Sequence, residues 1–186
     1  MNWANLVSYS RILLIPVVVI LFFAQFPGHQ LWAALVFGIA SFTDWLDGYL
    51  ARRLNQTSAF GAFIDPVADK LLVSLVLVLL VANYSTVWFI LPVSLIIGRE
   101  ILVSALREWM ASRNQRDVVA VAFAGKVKTT VQMIAILVLL ASDPSGPAIF
   151  WQLGYIGIYV AALLSLYSMG IYFKAAWDQL SRSDNN

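Results

Sequence analysis

Four aspartates stand in two neighbouring apolar stretches of this 186-residue chain. Asp44 and Asp47 lie in DWLDGYLARR, and Asp65 and Asp69 lie in FGAFIDPVADK. A charge at the centre of a membrane helix costs about 2.5–3.5 kcal/mol on insertion scales, so an acid placed there is functional by default. Carboxylates without a cysteine or a nearby histidine suit a hard cation such as Mg²⁺ or Mn²⁺. Because Mg²⁺ is commonly held by a few carboxylates and the phosphates of a substrate, the set predicts phosphoryl chemistry.

Helical periodicity places these acids on two faces that can meet. Positions i, i+3, i+4, i+7 and i+8 of a helix share one face. The first stretch fills that series with Asp44, Asp47, Gly48, Ala51 and Arg52. The second stretch carries Gly61, Asp65 and Asp69 at i, i+4 and i+8. The short RRLNQTS segment makes the helices antiparallel neighbours, and the two glycines permit close backbone approach.

Two other interpretations of the acids remain open from the residues alone. The carboxylates could form ion pairs that only hold a helical bundle together, or they could line a proton or cation path. Acids of transporters are usually distributed along the pore, whereas these gather at one end of their helices.

With two bound ions, the attacking and leaving oxygens of an in-line displacement could both be stabilised.

The composition places these stretches in a membrane. The chain is 61% hydrophobic and 12% charged, against about 25% charged in soluble domains, and its mean hydropathy is +0.80. The absence of cysteine excludes a disulfide framework and a thiolate metal site. Since a spanning helix needs about 20 apolar residues, we predict an all-α integral membrane bundle, one catalytic domain over residues 1–186. Its six spans are 6–26, 30–54, 60–83, 86–110, 125–142 and 150–175.

The basic residues predict the topology. All 12 Lys and Arg residues fall at or toward the same ends of the six spans. The opposite loops hold no Lys or Arg, and their only His, Asp or Glu residues are His29 and Asp143. Loops rich in Lys and Arg stay in the cytoplasm, so both termini and the aspartates belong on that side of the inner membrane. Lys70, Arg99 and Glu100 lie at similar depth, which predicts a polar cavity open to the cytoplasm.

Further basic residues indicate an anionic acceptor. Arg99 and Arg107 lie in GREILVSALREWM, and Lys126 and Lys128 lie in GKVKTTVQM. Such side chains bind phosphate well, so cations beside a metal site favour a phosphorylated substrate. Positive-inside anchoring is the alternative for part of this set, and an ion pair between Glu100 and Arg107 is another.

The spacing Asp-x2-Asp-Gly-x2-Ala-Arg-x8-Gly-x3-Asp-x3-Asp resembles the motif of the CDP-alcohol phosphotransferase family at every specified position. The resemblance implies a six-helix membrane bundle, usually dimeric, that uses Mg²⁺ or Mn²⁺. It implies that Asp44, Asp47 and Asp65 hold two metal ions. Asp69 would act as the general base and also contact a metal. The residues that would seat the cytidine diphosphate are Gly48, Ala51, Arg52 and Gly61.

Longer segments, among them TDWLDGYLARR and REILVSALREWM, resemble one branch of that family over nearly the whole chain. That branch transfers the phosphatidyl group of CDP-diacylglycerol to sn-glycerol 3-phosphate. It implies an acceptor-phosphate site of Arg99, Arg107, Lys126 and Lys128. The family's N-terminal Pro-Asn-x2-Thr-x2-Arg reads Ala-Asn-x2-Ser-x2-Arg here, which adds Asn5, Ser8 and Arg11 as contacts of the CDP-lipid.

The alternatives to this branch differ in the substrate or in the class of protein. A relative in the same family could use inositol phosphate, serine or phosphatidylglycerol as acceptor. A membrane prenyltransferase also binds a metal–diphosphate through aspartate-rich helices, but such enzymes are usually longer and lack the Gly-x2-Ala-Arg segment. A cation transporter would need no CDP-lipid.

Overall fold

The computed structural model of the chain describes residues 3–54, 59–112, 123–143 and 146–183. Within its helices, the side chains that it does not describe are those of residues 3–11, 44–54, 59–66, 69, 123, 124, 126, 179, 180, 182 and 183. Throughout the described ranges the regular elements are α-helices without any strand. They are α1 (Trp3–Phe23), α2 (His29–Leu54), α3 (Ala59–Asn83), α4 (Val87–Ser112), α5 (Phe123–Ala141) and α6 (Ala148–Ser183).

The all-α class predicted from the sequence is confirmed. Among the described residues, two stretches are long and apolar enough to cross a membrane by length and composition, namely Val87–Ser112 and Ala148–Asp178. Shorter apolar stretches occur at Ile12–Phe23, Lys70–Asn83 and Val127–Ala141. The helices follow the order of the six predicted spans and match most of their limits within a few residues.

Two helices end three or more residues from the predicted C-terminal limit of their span, each for a local reason. α1 ends at Phe23 instead of residue 26. Pro27 has no N–H to donate to the carbonyl of Phe23, and it disfavours the helical region for Phe26. Gly28 then turns the chain with a φ of 80°, a conformation that glycine adopts without a steric penalty. α6 continues to Ser183 instead of residue 175, since no Gly or Pro interrupts the polar segment that follows its apolar part.

The helices pack around an apolar interior. α5 lies against α6 and α2, α4 against α6, and α1 against α2 and α3, while α3 also contacts α4 and α5. Large buried side chains such as Phe37, Leu77, Phe89 and Ile136 fill the space between them. α5 and α6 approach closely at Gly157, where an added Cβ would lie 2.7 Å from the Cβ of Ala135.

The outside of the bundle is also apolar. Leu13 and Ile20 of α1, Leu163 of α6 and Trp88 of α4 are each 66–73% exposed. Soluble monomers rarely expose large contiguous apolar patches, so a surface of this kind is typical of a membrane or protein interface. One set of ion pairs and hydrogen bonds, by contrast, lies inside the bundle, where α3, α4 and α5 meet.

Candidate active site

Four ionisable side chains form what we call the charged cluster: Lys70 of α3, Arg99 and Glu100 of α4, and Lys128 of α5. Glu100 Oε1 accepts a hydrogen bond from Arg99 Nη1 at 3.1 Å and another from Lys128 Nζ. Lys70 Nζ donates to the hydroxyl of Ser104, one turn further along α4. Glu100 and Ser104 are four residues apart and therefore share a helix face, which is why both contact lysines of neighbouring helices.

Arg99 extends from this cluster toward α6. Its Nη2 donates to Ser168 Oγ at 2.6 Å, and its guanidinium carbon lies 5.9 Å from the centre of the Tyr172 ring, within cation–π range. Only 8% of Arg99 and 2% of Lys128 are exposed. Charges buried to this degree need charged or polar partners. The contact with Glu100 thus fixes the position of both cations, and the contact with Ser168 fixes Arg99 further.

A cavity of about 60 Å³ opens beside the charged cluster. Its polar lining consists of Lys70, Ser74, Glu100, Lys128, Thr129 and Gln132. Gln132 is 3% exposed, and its amide oxygen has no hydrogen-bond partner among the described residues. Two cations against one carboxylate make the lining net positive. With hydroxyl and amide groups beside them, these walls have the chemistry to hold a small polar anion.

Residues close in sequence to the motif aspartates lie at or near this cavity. Asp44 and Asp47 fall in α2, and Asp65 and Asp69 fall in α3, but their side chains lie outside the described ones. Lys70, which follows Asp69 directly, lines the cavity. The hydroxyl of Ser41, three residues before Asp44, lies 3.9 Å from Sδ of Met133, another lining residue. The backbone therefore brings both aspartate-bearing segments close to the charged cluster.

The residues available for a metal ion are these same aspartates. Among the described side chains, no group of three or more Asp, Glu, His or Cys residues could hold a metal ion. The side chains of the four aspartates are outside that set, so their joint binding of metal ions stays a prediction. As a donor set, four carboxylates fit a hard divalent cation.

A comparison of the sequence with models of protein families decides which family this arrangement belongs to. Residues 1–167 match the model described as CDP-alcohol phosphatidyltransferase. The chain belongs to this CDP-alcohol phosphatidyltransferase family. The matched region contains all four aspartates and the whole charged cluster. Members of the family generally depend on a divalent metal ion, in agreement with the chemistry of the donor set.

Curated relatives resemble this family member over nearly their full lengths. A protein of Pseudomonas fluorescens is 49% identical over 183 residues, which are 97% of this chain and 92% of the relative. Relatives from Salmonella choleraesuis and from Shigella flexneri serotype 5b are each 47% identical, with 94% of both chains covered. All three are named CDP-diacylglycerol–glycerol-3-phosphate 3-phosphatidyltransferase.

The structure brings together two of the four cations expected at the acceptor site. Arg99 and Lys128 meet through Glu100, whereas Arg107 is exposed on the surface of α4. The ion pair considered between Glu100 and Arg107 is wrong: among the described side chains, Glu100 pairs with Arg99 and Lys128. Besides the four aspartates, the predicted site residues whose side chains lie outside the described ones are Asn5, Ser8, Arg11, Gly48, Ala51, Arg52, Gly61 and Lys126.

Two residues of the site, Gln132 and Ser168, were not predicted from the sequence. Gln132 stands four residues after Lys128 in an otherwise apolar stretch, so helical spacing alone could have placed it on the same face. Ser168 carries no comparable signal, because serines are common in membrane helices. Its role becomes visible only when α6 is packed against α4.

Proposed function

We propose that the chain transfers the phosphatidyl group of CDP-diacylglycerol to sn-glycerol 3-phosphate, giving phosphatidylglycerol phosphate and CMP. It would thus be a phosphatidylglycerophosphate synthase. The identity of 47–49% to relatives named for this reaction, over 94–97% of the chain, carries the proposal. The charged cluster supports it independently, since buried cations beside a cavity suit a phosphorylated acceptor better than a neutral alcohol.

The reaction forms one P–O bond and breaks another. The 1-hydroxyl oxygen of glycerol 3-phosphate attacks the β-phosphorus of CDP-diacylglycerol, and the bond from that phosphorus to the bridging oxygen breaks, releasing CMP. Asp69 takes the hydroxyl proton as general base. A base at this position contributes by holding the acceptor hydroxyl in line and by accepting its proton as the new bond forms.

The remaining site residues have binding roles. Two Mg²⁺ or Mn²⁺ ions would be held by Asp44, Asp47 and Asp65, together with Asp69. Their positive charge would offset the negative charge of the diphosphate. Two groups of residues would contact the CDP-lipid, namely Asn5, Ser8 and Arg11 of α1, and Gly48, Ala51, Arg52 and Gly61 of the motif. The acceptor phosphate would be bound by Arg99 and Lys128, with Arg107 and Lys126 nearby.

We also propose that the protein is a homodimer of single-domain chains, each crossing the inner membrane six times. Both termini and the active site would face the cytoplasm. The apolar exterior and the one-sided distribution of Lys and Arg support this topology. Because the chain has no cysteine, single cysteines can report it without background. An impermeant thiol reagent should label a cysteine at His29 in intact spheroplasts, and should label one at Ser181 only after lysis.

The activity is tested with purified protein in detergent, CDP-diacylglycerol and radiolabelled glycerol 3-phosphate. We expect label in the lipid fraction and equal release of CMP, both lost when a chelator removes divalent cations. Parallel reactions with serine, inositol phosphate or phosphatidylglycerol test the sibling acceptors. CMP release with one of these but not with glycerol 3-phosphate would overturn the proposal that glycerol 3-phosphate is the acceptor. Cation flux in liposomes without CDP-lipid would favour a transporter instead.

A further inference from the structure

Glu100 is an acid in a place where the proposed function needs cations. It lines the cavity with Lys70 and Lys128, and it lies outside the aspartate motif that would bind metal. A carboxylate beside a phosphate site repels the incoming phosphate, so its presence there has a cost. A buried salt bridge is also weak evidence for a stabilising role, because the desolvation of the charges offsets their attraction. The contacts of Glu100 give a more specific reason.

One oxygen of Glu100 holds two cations from different helices. Oε1 accepts from Arg99 on the same helix and from Lys128 on α5, 28 residues further along the chain. Lys128 is 2% exposed and Arg99 is 8% exposed, so both lie largely out of contact with solvent. Without the carboxylate, two buried positive charges would repel each other across the same space.

The other side of Arg99 is fixed as well. Its Nη2 donates to Ser168 Oγ, which in turn donates to the backbone oxygen of Ser165 at 3.1 Å. The guanidinium is thus held between α4 and α6 before any acceptor binds. Fixing cations in advance lowers the entropy lost when a ligand is bound, and this is the usual advantage of preorganisation.

The charged cluster keeps a positive surplus in spite of the acid. Lys70, Arg99 and Lys128 supply three positive charges against the one negative charge of Glu100. A phosphate monoester carries about −1.5 to −2 charge at neutral pH. The surplus of two therefore matches a phosphomonoester, and Glu100 can hold its cations without preventing that anion from binding.

We propose that Glu100 is a positioning residue for the acceptor phosphate: it holds Lys128 at the cavity wall, where this lysine binds the phosphomonoester of the acceptor, and it anchors Arg99 beside the lysine. The role rests on the proposed function, because it assumes a phosphorylated acceptor. It involves neither the CDP-lipid nor the proton transfer. A change at Glu100 should consequently alter acceptor binding and leave donor binding unaltered.

The test compares Glu100→Gln with Glu108→Gln, which removes the same charge from an exposed position of the same helix. Initial rates are measured against glycerol 3-phosphate at saturating CDP-diacylglycerol, and then in the reverse arrangement. We expect Glu100→Gln to raise the KM for glycerol 3-phosphate about tenfold or more, the loss typical of a hydrogen bond to a charged group. The KM for CDP-diacylglycerol should stay within about twofold, and Glu108→Gln should change neither constant.

A double-mutant cycle shows whether Glu100 acts through the lysine. If it does, Glu100→Gln combined with Lys128→Gln should raise the acceptor KM by less than the product of the two single effects. If Glu100→Gln cannot be purified in folded form, Glu100→Asp takes its place. That variant keeps the charge but shortens its reach, and it should raise the acceptor KM by a smaller factor.

The outcomes separate this inference from the function on which it rests. Wild-type protein without acceptor-dependent CMP release would overturn both. Wild-type turnover combined with an unchanged acceptor KM in the Glu100 variant would overturn the role of Glu100 alone. Equal rises in both KM values would also overturn it, since a purely structural residue disturbs both substrates.

Discussion

The charged cluster differs in kind from a second cluster toward the other end of α4. This aromatic cluster consists of Tyr84, Phe89, Trp151 and Tyr155, with ring centres 4.9–6.2 Å apart where they touch. Along α4, Phe89 and Arg99 are separated by about 15 Å at 1.5 Å per residue. One bundle is thus joined by ring packing at one level and by charge-assisted hydrogen bonds at another.

The polar atoms of the two clusters show what each one is for. In the aromatic cluster and next to it, hydroxyls have partners: Tyr155 OH lies 2.5 Å from Thr86 Oγ1, and Tyr159 OH donates to the backbone oxygen of Trp88 at 2.6 Å. In and beside the charged cluster, by contrast, Arg99 Nε and the amide oxygen of Gln132 have no partner among the described side chains. Buried polar groups are normally satisfied. The satisfied cluster has the properties of a structural element, and the unsatisfied one those of a binding site.

The largest expected effect tests whether chemistry is confined to the charged end. Asp69→Asn should lower turnover by about 10²–10⁴-fold, the usual contribution of a general base, while CDP-lipid still binds. Asp143→Asn serves as the matched control, because it changes an exposed acid beyond the end of α5. CMP release gives the rate, and retention of a labelled CDP-lipid gives binding. Substantial turnover by Asp69→Asn would exclude Asp69 as the base.

The next effect concerns the acceptor. Lys128→Gln should raise the KM for glycerol 3-phosphate about 10–100-fold, because a charge-assisted contact with the phosphate is lost. Lys174→Gln removes the same charge from an exposed position of α6 and should leave the KM unchanged. Steady-state rates at saturating CDP-diacylglycerol provide both values. Equal KM values for the two variants would remove Lys128 from the acceptor site.

Packing nearer the aromatic cluster should affect stability instead of substrate binding. Gly157→Ala places a Cβ 2.7 Å from Ala135 Cβ, so α5 and α6 must separate at a cost of about 1–3 kcal/mol in the free energy of unfolding. Gly170→Ala, in the same helix, meets no atom within 4 Å. It should leave stability unchanged or raise it by up to about 1 kcal/mol. Thermal unfolding in detergent measures both, and KM values should match the wild type.

The smallest effect is a pH dependence of stability at the aromatic cluster. Tyr84 lies in the turn between α3 and α4, where burial, followed by the nearby Asp143 and Tyr155, raises the pKa of its hydroxyl to about 12. A tyrosine of the unfolded chain ionises at about 10, so the folded protein holds this proton more tightly. The resulting stability is fully present below about pH 10 and is lost as the pH rises through about 12.

Removing that hydroxyl should remove this part of the pH dependence. Tyr84→Phe should lose less stability than the wild type between about pH 10 and 12, as measured by the midpoint of thermal unfolding. Tyr167→Phe, which changes a tyrosine that is 65% exposed, is the control and should follow the wild type. Parallel curves for all three proteins would show that Tyr84 does not titrate differently in the folded state.

The sequence predicted the helical class and the presence of the motif aspartates in α2 and α3, because apolar length and motif spacing are local properties. Arg99 and Lys128 were also recognisable as site candidates, since cations are rare inside apolar stretches. The partner of Glu100 on another helix was not recognisable from the sequence. Spacing along α4 suggested Arg107, but Lys128 is 28 residues away and reaches Glu100 only through the packing of α5. Contacts between helices depend on tertiary packing, which periodicity along one helix does not specify.

The length of α6 has a consequence outside the active site. Its 36 residues extend about 54 Å, whereas a bilayer core is about 30 Å thick. Near that end of the helix, Tyr172 and Ala176 still pack against Val103 and Met110 of α4, so the extension is braced by a second helix. A fluorescent protein fused after Ser183 would begin on a helical stalk of up to about 24 Å. Its distance from a dye in the membrane surface would measure how far the bundle is tilted.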